Sequence, residues 1–154
     1  MAYLNAGDII SGKEGRAFAV INGVSEEMFF VKSLEAKIEK QKAEIKTIGS
    51  RRTQHKTTGW SGTGSMTIYY MTSKFRKLMQ EYLETGRDTY FDIMVVNEDP
   101  SSSVGSQKIM LQNVNLNSVI LAKLDVESDA LEEETEFTFE GVAFVQHFND
   151  PVIG

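Results

Sequence analysis

Residues 55–70 read HKTTGWSGTGSMTIYY, and they alternate. The odd positions Thr57, Gly59, Ser61, Thr63, Ser65 and Thr67 are small, and five of the six carry a hydroxyl. The even positions run Trp60, Gly62, Gly64, Met66 and Ile68. Successive side chains of a strand point to opposite faces, so this pattern is a long half-buried strand. One face is hydroxylated. The other opens on an aromatic, crosses a two-glycine gap and ends bulky and apolar. The glycines weaken the strand locally and point to a bend or to close approach by another chain. A phosphate loop does not fit, because no Gly-Lys-Ser/Thr triplet is present and Gly62-x-Gly64 opens a strand rather than a helix.

The rest of the chain follows the same theme. Residues 16–21 alternate weakly, with Phe18 and Val20 on one side, and Asn22-Gly23 is a hairpin signal because both residues tolerate positive φ. Residues 28–31, Met-Phe-Phe-Val, are the expected returning strand. In SLEAKIEKQKAEIK (33–46), Leu34, Ile38, Gln41 and Ile45 keep helical spacing, but Ala36 and Ile38 alternate with charged neighbours. No clear cap bounds it, and the segment is read as a long charged strand. The one expected helix is 72–86. Its apolar stripe is Phe75, Leu78, Met79, Tyr82 and Leu83, its cap Thr72 or Ser73, and its stop Gly86. Further strands are expected at 89–96, 108–114 and 117–124, around a bend at NVNLN, with a polar loop at 97–106. A last long strand is expected at 134–148, with Phe137, Phe139, Gly141, Ala143 and Val145 on one side. That gives about seven strands and one helix, mostly antiparallel because the connections are short.

At 154 residues this is most simply one domain. Its net charge of −6 is unevenly spread. Residues 37–56 hold seven basic side chains against two acidic ones, whereas beyond Lys123 there are nine acids and no Lys or Arg. Two readings stay open. These are two solvated faces, or copies of the chain meet positive segment to negative segment. An acidic chain is a poor tight binder of nucleic acid, which draws most of its affinity from Lys and Arg at phosphates.

Catalytic and metal chemistry finds little to use. The absence of cysteine removes disulfides, thiolate metal sites and thiol nucleophiles. The two histidines, His55 and His147, lie far apart in sequence. Glu132, Glu133 and Glu134 are consecutive, so in a strand they cannot all point one way. Nothing calls for a cofactor or a metal. The start, MAYLNAGDII, lacks the basic and apolar regions of a signal peptide, and no apolar run approaches membrane-span length.

The order HKTTGWSGTGSMTIYY, TSKFRKLMQEYLETGRDTYFDI, NEDPSS and QNVNLNSVILAKLD, preceded by EAKIEKQKAEIKTIG, resembles the tail tube proteins of contractile tails. The likeness is to the PBSX-like defective-prophage and Gram-positive phage type, and it spans nearly the whole chain. It implies a mainly β fold, an antiparallel sandwich or barrel with one flanking helix. It implies six subunits per ring, strands of neighbours joined into one barrel, and rings stacked into a tube inside a sheath. The implied partners are other copies, the sheath protein, and baseplate and tail terminator proteins, with DNA only as non-specifically translocated cargo. The implied location is the host cytoplasm during assembly, then a virion tail or phage-tail-like particle. A type VI-like secretion tube subunit is the alternative, and a small β-barrel hydrolase a distant third.

On this reading residues 49–59 (GSRRTQHKTTG) are a projecting loop that contacts the adjacent ring through Arg51, Arg52, His55 and Lys56. Trp60 is an anchor, in the core or against a neighbour. The acids facing the basic segment are Asp129, Glu132, Glu133 and Glu134 of another copy.

Overall fold

The computed structural model describes residues 5–28 and 30–150. Strands β1 (Gly15–Ile21) and β2 (Val24–Glu27) form a hairpin over Asn22 (φ 52°) and Gly23 (φ 81°). Both residues are left-handed, as a two-residue hairpin loop of this hand requires. The returning strand therefore starts at once, at Val24 and not at Met28. Met28 and Phe30 are instead buried in the core, and Phe29 lies outside the described residues.

Strand β3 (Val31–Lys46) is the charged segment, and β4 (Thr53–Tyr69) is the alternating one. They form a hairpin paired from Val31–Ile68 out to Lys46–Thr53. Helix α1 (Lys74–Thr85) follows, with Ser73 at its start and Gly86 at its end. Then come β5 (Phe91–Glu98), β6 (Ser106–Leu116), β7 (Glu132–Phe139) and β8 (Gly141–Gln146). The strand order is β2-β1-β5-β6-β7-β4-β3, every pairing is antiparallel, and β8 lies against β6. β6 serves both halves. It pairs with β5 and β8 along most of its length and with β7 at Asn115 and Leu116. Core residues of β1, β5 and β6 share one cluster with those of β4 and β7, so the sheet folds over on itself to enclose them.

The two-glycine gap is filled from within the same chain. Gly64 pairs with Phe137 and Gly62 with Phe139, and each phenylalanine ring lies where a β-carbon on its glycine would stand. Phe137 and Phe139 are buried. The rings occupy the volume the glycines leave open, which corrects the expectation of a bend or an approach by another chain.

Three further expectations differ. β6 continues through NVNLN to Leu116, with the expected irregularity confined to Asn113 (φ 54°) at a register shift against β5, and residues 117–131 are irregular instead of a strand. The last strand breaks at Glu140, which lets β7 pair with β4 while β8 turns to β6. Ala143 and Val145 therefore do not continue the buried row of Phe137 and Phe139. The helix buries Phe75 and packs Leu78 on the core, but Tyr82 and Leu83 are exposed, because only its first two turns lie over the sheet.

Candidate assembly interface

The outward faces of β3, β4 and β7 form one polar surface. In an antiparallel sheet, paired residues share a face. Ser33, Thr67 and Glu134 make one row, Glu35, Ser65 and Glu136 the next, and Lys37, Thr63 and Thr138 a third. Beyond them lie Glu39 and Ser61. Lys37 Nζ sits 3.0 Å from Glu39 Oε1, and that hydrogen bond, with the charge of Glu39, raises the lysine pKa above its ordinary value. The face thus carries hydroxyls and four carboxylates against one lysine. The inward face of the same strands alternates with it: Glu133, Thr135, Phe137 and Phe139 of β7 are all buried.

β3 is the last strand in the order, so its outer edge has no strand partner among the described residues. An unpaired edge of 16 residues is a template for another chain. Beside it, Leu34, Ile38, Val95, Ile109, Val142 and Phe144 line an open apolar slot of about 410 Å³.

The far half of the β3–β4 hairpin leaves the sheet. β7 pairs with β4 only from Gly62 to Tyr69. Residues 39–61 therefore form a two-stranded ribbon held by its own ladder, with a bulge between Gln41 and Lys42. Only 47–52 is a turn. Residues 53–59, expected as a loop, are strand, because Thr53, Gln54, His55, Lys56 and Thr57 each find a partner on β3. Arg51, Arg52, His55 and Lys56 are all exposed on this ribbon, and His55 faces Glu44. Trp60 sits at the root of the ribbon opposite Lys40 and is 46% exposed, so it is not a core residue.

The acidic cluster divides by strand alternation. Glu133 points inward, is 3% exposed, and is held by Arg76 Nη1 at 3.2 and 3.1 Å from its two oxygens. Arg76 also donates to the Ile120 and Thr72 carbonyls and lies 4.5 Å over the Tyr70 ring. Glu133 is thus an internal partner and not an inter-subunit contact, and a lysine there would oppose Arg76. Glu132 pairs with Lys32 at 2.8 Å, and this hydrogen bond, then the charge, raises the Lys32 pKa. Glu134 and Asp129 are exposed. The ribbon and the cluster lie at opposite ends of β4: Thr53 is at the tip, while Tyr69 pairs with Glu132.

Residues the sequence did not single out also belong to this surface. Ile48 at the ribbon tip is fully exposed, as are Leu124 and Val126 in the 117–131 segment. Their signal was present as apolar residues inside charged, irregular stretches.

The phage tail tube protein family model matches residues 2–146. The chain is 47% identical over 147 residues to the Phage-like element PBSX protein XkdM of Bacillus subtilis, covering 96% of this chain and 97% of that one. Its fold matches a chain of the anti-feeding prophage tube-terminating cap, at TM-score 0.69 and 11% identity, over 93% of each chain. It also matches a chain of an empty gene transfer agent tail of C6 symmetry, at TM-score 0.54 and 12% identity, over 88% of this chain and 98% of that one.

Proposed function

The chain belongs to the phage tail tube protein family and is a structural subunit of a tail tube, and from this premise we propose how it builds that tube. Six copies close a ring, following the C6 symmetry of the gene transfer agent tail. The free edge of β3 pairs with a neighbour, and the neighbour covers the apolar slot beside it. The polar face of β3, β4 and β7 lines the lumen. The observation that carries this reading is the combination of that free 16-residue edge with an alternation that gathers the rows of Ser33, Glu35 and Lys37 with their β4 and β7 partners on one polar face.

A channel wall of this chemistry suits a polyanion in transit. Carboxylates and hydroxyls outnumber its one lysine, Lys37, which is itself paired with Glu39, so phosphates find little to hold them and DNA slides as non-specific cargo. In a phage-tail-like particle without a genome, the same tube punctures a target. The tube is not catalytic. It assembles in the host cytoplasm, inside a sheath, between baseplate and terminator proteins. Rings stack through the basic ribbon, which meets acids of the next ring.

Ion pairs at such a rim are worth roughly 0.2–1 kcal/mol each and are screened by salt, but they repeat at every subunit. Tube nucleation therefore slows as salt rises, while apolar and main-chain contacts preserve tubes already formed. Arg51→Glu with Arg52→Glu lowers the yield of sedimentable tubes at least about tenfold at low salt. An assembly rate flat across salt, or normal yield from the double variant, contradicts this account of stacking.

A further inference from the structure

The geometry points to the partner of the ribbon tip: the exposed turn of residues 121–129 on a second copy in the adjacent ring. This inference rests on the tube reading above and names the two surfaces that meet.

The 121–129 segment is held by hydrogen bonds, yet it presents apolar side chains to water. Its entry is pinned by Arg76 to the Ile120 carbonyl at 3.2 Å and by the Tyr70 hydroxyl to the Leu121 carbonyl at 3.5 Å. Lys123 Nζ reaches the Glu132 carbonyl at 2.6 Å. Asp125 accepts from the Glu127 N–H at 3.1 Å, and Ser128 donates to the Ala130 carbonyl at 2.6 Å. Held this way, Leu124 is 97% and Val126 102% exposed. Asp125, Glu127 and Asp129 surround them, all exposed.

The ribbon tip has the complementary composition. Ile48 is 107% exposed, Ile45 is also exposed, and Lys42, Lys46, Arg51, Arg52 and Lys56 flank them. An apolar centre within positive charge faces an apolar centre within negative charge, which matches the two surfaces for both desolvation and sign.

These surfaces cannot meet within one subunit. Strand β4 joins them, with Thr53 beside the tip and Tyr69–Tyr70 beside the 117–131 segment. Its 17 residues span about 50 Å at roughly 3.3 Å per residue. A contact between the two ends of a rigid strand is heterologous, and a heterologous contact that does not close on itself propagates as a filament. Ring stacking needs that property. Closure of the ring falls to the β3 edge.

The chain has no cysteine, so introduced thiols are unique. Ile48→Cys combined with Val126→Cys, assembled and then treated with a short bis-maleimide, gives a covalent ladder on a denaturing gel. The ladder continues past six chains, because the contact runs from ring to ring, while each single variant stays monomeric. Tubes visible by electron microscopy with no ladder overturn the pairing. A ladder that stops at six overturns its placement between rings, and dimers from either single variant overturn the tip-to-turn match. If the first pair disturbs assembly, Ser50→Cys with Ser128→Cys repeats the test. Failure of the unsubstituted protein to form rings or tubes contradicts the tube architecture itself, a separate outcome.

Discussion

Phe139→Ala lowers the unfolding free energy by about 3–5 kcal/mol, the cost of deleting a buried aromatic ring. The site has little means to collapse, because the surface beneath the ring is Gly62, which has no side chain to move into the gap. Gly62→Ala costs roughly 1–3 kcal/mol on its own, since the three atoms nearest the new methyl group all belong to the Phe139 ring. In the Phe139→Ala background that clash is gone, so the same Gly62→Ala change costs little or becomes favourable. Urea unfolding of the monomer at high salt measures the cycle. A double variant whose loss equals the sum of the two single losses contradicts the ring-over-glycine account.

Arg76→Ala is the second large effect, about 3–5 kcal/mol, because it leaves the Glu133 carboxylate buried with its charge unpaired. Arg76→Met with Glu133→Leu recovers most of that loss, since neither charge then remains to be solvated. The recovered fold still lacks the guanidinium that holds the Ile120 carbonyl, so the 121–129 turn loosens. The double variant is therefore expected to melt near the unsubstituted protein yet assemble into tubes more slowly. Equal destabilisation by Arg76→Ala alone and by the double substitution removes the buried pair from the account.

The parts of the fold legible in the sequence were those where one periodicity ran unbroken. β4 kept period two from Gly59 through Ile68, and β3, though its composition favours a helix, is a strand that pairs with β4 in unbroken register from Ser33 to Gln41. Asn22-Gly23 announced its hairpin through the two positive φ angles it needs. Where one long pattern hid a change of partner, the sequence misled. Residues 134–148 read as one strand, but the chain turns at Glu140 from β4 to β6, a choice made by packing between distant strands. Residues 117–124 alternate like a strand yet join none of the ladders among the described residues.

The candidate interface was half legible. The basic segment and the acidic tail stood out as a charge imbalance, but which acids faced outward depended on pairing register. Glu133 lies between two outward neighbours and was reached by Arg76 from a helix 57 residues away. Trp60, the lone tryptophan, invited a place in the core, whereas the core ends at Gly62 and leaves it at the root of the ribbon. Leu124 was read as the end of a strand and Val126 belonged to no pattern, and their exposure in the 117–131 segment marks them.

Negative-stain electron microscopy of the purified protein at high concentration and low salt tests the central claim most directly. The account predicts hollow tubes, with free rings of six-fold symmetry among them. Dispersed monomers alone, at every concentration and salt tried, would contradict it.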